Sequence, residues 1–142
     1  MTLNEYVFKR NGVPMGHSES LSNNLYRSLG AKNFATFWTY WNPIFGYYLG
    51  TYIFKPLKKV FPVWLSLIGT FLFCGALHDA VTTLVKGKIS WFFTLWFFLM
   101  SLGVLLSKGL QHNFNEQSWL VRAVINLVFI GICLVVTIYI IF

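Results

Sequence analysis

The chain has 142 residues, 56% of them hydrophobic and 20% aromatic, with only 11% charged and a formal net charge of +7. A soluble domain carries roughly a quarter charged residues, so this composition excludes a globule covered by water and makes lipid the solvent for much of the surface. The basic residues lie mainly outside the apolar runs, which suits anionic headgroups and topology signals and argues against a nucleic-acid-reading face.

Residues 1–32 are mixed and polar. The opening MTLNEYVFKRNGVPMG has no apolar core of signal-peptide length, so no cleavable export signal is expected. In GHSESLSNNLYRSLG, Leu21, Leu25 and Leu29 recur every four residues. That spacing predicts a short helix outside the bilayer, with Ser18 or Ser20 as its cap. His17 and Glu19 here, and His112 in the later QHNFNEQ, share no metal-ligand spacing. They are expected to be solvated, and no metal site is expected.

Residues 33–60 are harder to place. Asn33 to Phe54 is apolar enough to span, yet Pro43, Gly46 and Gly50 would interrupt a helix in lipid. Its Trp and Tyr residues suit the headgroup level. The expectation is broken interfacial or re-entrant helices rather than a fourth span. Within YWNPIFGYYLG, Asn42 stands between Trp41 and Pro43. A carboxamide in apolar surroundings needs partners. It could cap a helix beginning at Pro43, and a functional role for the same amide is compatible with capping.

Residues 61–142 read as a transmembrane bundle with spans at about 61–85, 89–107 and 120–142, each near the 20 or so apolar residues a bilayer requires. The fold class expected is therefore an all-α membrane protein with three spans, or four if residues 33–54 also cross. Before the first span lie Lys9, Arg10, Arg27, Lys32, Lys55, Lys58 and Lys59. That excess puts the N-terminus in the cytoplasm and Phe142 on the far side, although the KGK turn at Lys86 and Lys88 runs mildly against the rule. A bacterial inner membrane and an endoplasmic reticulum fit equally. Cys74 and Cys133 sit deep in apolar runs and suggest no disulfide framework.

The first span carries the outlier. His78 and Asp79 are adjacent in FLFCGALHDAV, and ionisable groups within a membrane helix mark function by default. Ser66, Thr70, Cys74, His78 and Thr82 follow at four-residue steps, with Gly75, Asp79 and Thr83 beside them. Together they describe a polar wall that would line a cavity or tunnel; close packing through small residues is the competing reading. Cys74, one turn before His78, is in reach as a nucleophile, though buried cysteines commonly only pack. Asn126, a lone amide in the third span, reads as a helix–helix contact.

FATFWTYWNPIFGYYLGTYIFKPLKK followed by FCGALHD resembles the core of the membrane-bound O-acyltransferases, in the branch that esterifies sterols and diacylglycerol. The ordered pieces are Trp41-Asn42, then Phe54-Lys55-Pro56, then His78-Asp79, spread over about residues 34–85. The resemblance implies that His78 is the catalytic histidine and Asn42 the second signature polar residue. Asp79 stands where that branch usually has Glu, and family members usually have eight or more spans. It also implies acyl transfer from a thioester, acyl-CoA or an acyl-carrier protein, to a hydroxyl or amine, with no bound cofactor. His78 would act as general base, and Asn42 would orient the acceptor or bond the developing oxyanion. Asp79, Trp41, Cys74 and Thr82 would support them. Lys55, Lys58 and Lys59 could attract donor phosphates, although topology and headgroup contact explain them as well. So short a chain implies a homo-oligomer or a membrane partner protein, besides membrane lipids, or else a reduced relative without activity. The alternatives are a non-catalytic oligomeric scaffold or lipid-binding subunit, and a small transporter or proton relay using the same pair.

Overall fold

The computed structural model describes all residues from Met1 to Phe142, which form α-helices and one π-helical turn with no strands. Helix α1 spans Leu3–Asn11, started by a Thr2–Glu5 capping box and stopped by Gly12 at φ 75°, a left-handed position that glycine reaches without strain. Helix α2 spans Ser20–Leu29. Its leucines point the other way from a core-facing stripe: Leu21 and Leu25 are exposed, while Asn24 and Ser28 are buried. Neither Ser18 nor Ser20 caps it; the cap position is Glu19, with no side-chain bond. The inversion follows from hydrogen-bonding need, because the buried Asn24 and Ser28 side chains must face protein partners.

The aromatic segment is broken into α3 (Phe34–Tyr40), α4 (Pro43–Leu49), a π turn (Gly50–Phe54) and α5 (Lys55–Lys58). The break between α3 and α4 is local chemistry. Trp41 turns extended, Asn42 takes a left-handed φ of 43°, and Pro43 opens α4, where its missing N–H is harmless. Two α3 rings enter the protein core rather than its surface: Phe34 is 0% and Phe37 2% exposed. Phe34 stacks on Phe129 at 4.7 Å, and a Cβ on Gly103 would stand only 3.4 Å from it.

Three helices are long and apolar enough to cross a membrane: α6 (Val63–Lys86), α7 (Phe92–Gly109) and α8 (Trp119–Ile141). This is the architecture of an integral membrane protein. Pro62 precedes α6 and a left-handed Gly87 ends it. Helices α6 and α7 meet at Gly75, where an added Cβ would come within 2.6 Å of the Phe93 carbonyl oxygen. Only glycine permits that approach.

Asn126, 0% exposed, donates to the carbonyls of Leu29 and Ala31. It thus fastens α8 to the end of α2 rather than to another spanning helix. His112 is not solvated as expected. Its Nδ1 is buried, and the ring lies against Phe114 and Phe129, because the loop before α8 folds back to pair with Lys32 and Asn33. His17 is exposed.

Candidate functional site

The stripe through His78 satisfies itself along α6. Ser66 donates to the Pro62 carbonyl, Thr70 to Ser66, His78 to Cys74 and Thr82 to His78. Each side chain reaches back one turn, which is how hydroxyls are tolerated in an apolar helix. For His78 the bond has a chemical consequence. A carbonyl only accepts, so Nδ1, 2.7 Å from the Cys74 oxygen, carries the hydrogen. In the uncharged ring Nε2 therefore holds the lone pair.

The ring is fixed on its flanks. Phe97 stacks at 5.1 Å, Phe93 lies at 5.4 Å, and Phe45 of α4 meets it edge-on at 6.4 Å. His78 is nonetheless exposed and lines an open cavity of about 210 Å³. Helix α6 contributes Thr70, Phe71 and Cys74 to this cavity, and α7 contributes Phe97. From the broken segment come Trp38, Trp41, Asn42, Phe45, Gly46 and Leu49. The sequence-predicted pair is thus brought to one cavity by two different routes, a spanning helix and an interrupted one.

Asn42 caps α4. Its Oδ1 accepts from the Phe45 N–H at 3.3 Å, which leaves the Nδ2 hydrogens available as donors. Its backbone N–H faces the Oδ1 of Asn24 at 3.5 Å. Asn24 also donates to the Tyr40 carbonyl at 2.6 Å and to Asn11 at 3.2 Å. The polar N-terminal segment, for which the sequence suggested no role, clamps the turn that presents Asn42.

Asp79 is elsewhere. Only 4% exposed, it does not line the cavity. One carboxylate oxygen accepts from the Ser90 hydroxyl and the Phe93 N–H, the other from the N–H and hydroxyl of Thr94. The N-terminal N–H groups of a helix have no partners within it, and Asp79 supplies them for α7. Gly75 of the same stripe is the α6–α7 crossing point, and Thr83 accepts from Ser90 N–H. The two stripes do not form one polar wall: they face different neighbours.

Of the other expected residues, Trp41 and Cys74 line the cavity, and Thr82, Lys55, Lys58 and Lys59 do not. Lys58 sits over the Phe54 ring at 5.4 Å. The Cys74 sulfur is 4.0 Å from His78 Nδ1, but that nitrogen carries the hydrogen shared with the Cys74 carbonyl, so it has no lone pair with which to activate the thiol. No group of three or more His, Cys, Asp or Glu side chains comes together to hold a metal ion.

One lining residue had no sequence signal. Tyr6 of α1 also lines the cavity, its hydroxyl 3.8 Å from where a Cβ on Gly46 would stand. Comparison with protein-family models, with curated proteins and with solved structures finds no match.

Proposed function

We propose that the protein is a membrane-embedded acyltransferase, a short relative of the membrane-bound O-acyltransferases, moving an acyl group from a thioester to a hydroxyl or amine. The observation that carries this reading is the convergence of His78 and Asn42 on one apolar-walled cavity, with the His78 ring held so that its free nitrogen is the basic one. His78 Nε2 takes the proton of the acceptor hydroxyl as its oxygen attacks the thioester carbonyl. Asn42 Nδ2 donates to the carbonyl oxygen as it gains charge. The C–S bond then breaks, and the departing thiolate takes the proton back from Nε2. Aromatic walls suit an acyl chain, and acyl-CoA or an acyl-carrier protein would present the thioester.

The N-terminus is assigned to the cytoplasm by the excess of basic residues there. Lys55, Lys58 and Lys59, lying off the cavity, fit headgroup anchoring better than donor binding. A second reading, a scaffold that assembles with copies of itself or with a membrane partner, draws on the apolar groove along α8 from Val124 to Val136 around Gly131. The test is transfer of label from an acyl thioester into membrane lipids by the purified protein and by His78→Ala. Transfer by the wild type and a loss of about 10²- to 10⁴-fold in the variant, with insertion unchanged, supports the enzyme. Absence of transfer in both, with assembly altered in the variant, supports the scaffold.

A further inference from the structure

Tyr6 brings a second hydrogen-bond donor to the cavity, from an element outside the spanning bundle. Its ring is held edge-on by Tyr47 at 5.5 Å, and the Arg10 guanidinium lies over it at 4.7 Å. Tyr47 in turn donates to the Met1 carbonyl. Helix α1 itself is pinned by Asn11, 2% exposed, which donates to the Ser20 hydroxyl and accepts from Asn24. The ring is therefore fixed, while its hydroxyl stands by Gly46 on the cavity wall. No intramolecular hydrogen bond uses that hydroxyl; the Tyr47 hydroxyl instead ties α4 to the Met1 carbonyl ahead of α1. A cation over the ring face is attracted to its electron density, and favours the shift of charge towards oxygen that accompanies O–H donation.

We propose that Tyr6 donates a hydrogen bond to the carbonyl oxygen of the acyl ligand in this cavity, beside Asn42 Nδ2, and that α1 is a functional wall of the site. This rests on the reading of the cavity as an acyl site. The pair Asn42 and Tyr6 then forms a two-donor cradle, one donor from the broken aromatic segment and one from the N-terminal helix. His78 contributes the acceptor. Gly46 between them keeps the wall free of side chain.

The test separates the carbonyl contact from chain binding. Two probes are compared on the full-length protein in lipid nanodiscs: a nitroxide-labelled acyl thioester, and the matched thioether in which CH₂ replaces the carbonyl. Saturable quenching of tryptophan fluorescence, to which Trp38 and Trp41 in the cavity wall contribute, reads both affinities. Each neutral hydrogen bond amounts to roughly a three- to tenfold preference for the thioester, so two donors give the wild type a preference of roughly tenfold or more. Tyr6→Phe keeps the ring, its Tyr47 contact and the Arg10 stacking, and should lower that preference about threefold or more, with thioether affinity and helix content unchanged. Arg10→Gln should lower it by less.

An unchanged thioester-to-thioether ratio in Tyr6→Phe overturns the assignment while leaving the acyl site standing. Equal wild-type affinity for the two probes does the same. If the wild type shows no saturable binding of either probe, the acyl site falls and the Tyr6 contact with it.

Discussion

His78 and Asp79 are neighbours in sequence and opposites in use. One turns to an open cavity with a ring nitrogen left over; the other is 4% exposed and spends both carboxylate oxygens on four donors around the start of α7. A helix rotates 100° per residue, so adjacent residues face different neighbours. Chemical type alone does not assign function in a membrane helix. What matters is whether the surroundings use up the group's hydrogen-bonding capacity.

The contrast can be broken by substitution, and the largest expected effect is on His78. His78→Ala should reduce acyl transfer by about 10²- to 10⁴-fold and leave thermal unfolding in detergent nearly unchanged, since the ring is exposed. Asp79→Ala should do the reverse. Loss of four bonds to a buried acceptor leaves the first N–H groups of α7 unpaired, costing on the order of 3 kcal/mol, seen as a fall in melting temperature. Gly75→Ala attacks the same seam sterically. A Cβ there meets the α7 backbone at 2.6–2.7 Å, which should cost about 1–3 kcal/mol and weaken protection of the α6–α7 hairpin in hydrogen exchange.

Asn42 allows a finer cut, because its capping oxygen and its donor nitrogen are separate atoms. Asn42→Asp keeps an acceptor for the Phe45 N–H and should hold stability, while transfer falls for want of the Nδ2 donor. Asn42→Gly tolerates the left-handed backbone at φ 43° but loses both functions, with a stability cost of only a few tenths of a kcal/mol. Transfer rate and melting temperature, measured on both variants, check the division. Equal transfer by Asn42→Asp and wild type would reduce Asn42 to a cap.

Much of this was legible in residue order. The three spans follow from long runs nearly free of charge, and Asn42-Pro43 announces a helix start by the chemistry of caps. His78 stood out as an imidazole in hydrocarbon. Asp79 misled for a physical reason: the donors it serves include the backbone N–H groups of Phe93 and Thr94, and backbone partners leave no trace in residue identity. Tyr6 was invisible because it lies on a polar helix, distant in sequence and without a pattern linking it to Asn42. The outward leucines of α2 inverted a soluble-protein rule, since buried amides such as Asn24 tie elements together and claim the inner face of the helix. His112 was expected in water because its loop is polar, but polar loops also fold back and pack a half-buried ring against their neighbours.

The most direct measurement is the double comparison of His78→Ala and Asp79→Asn, purified identically, with transfer per folded molecule and melting temperature read on each. The predicted result is a crossed pattern, with transfer lost and melting kept for His78→Ala, and melting lowered and transfer per folded molecule retained for Asp79→Asn. Transfer surviving in His78→Ala, or vanishing in Asp79→Asn while melting holds, would contradict the assignment of the base to one residue and the clamp to the other.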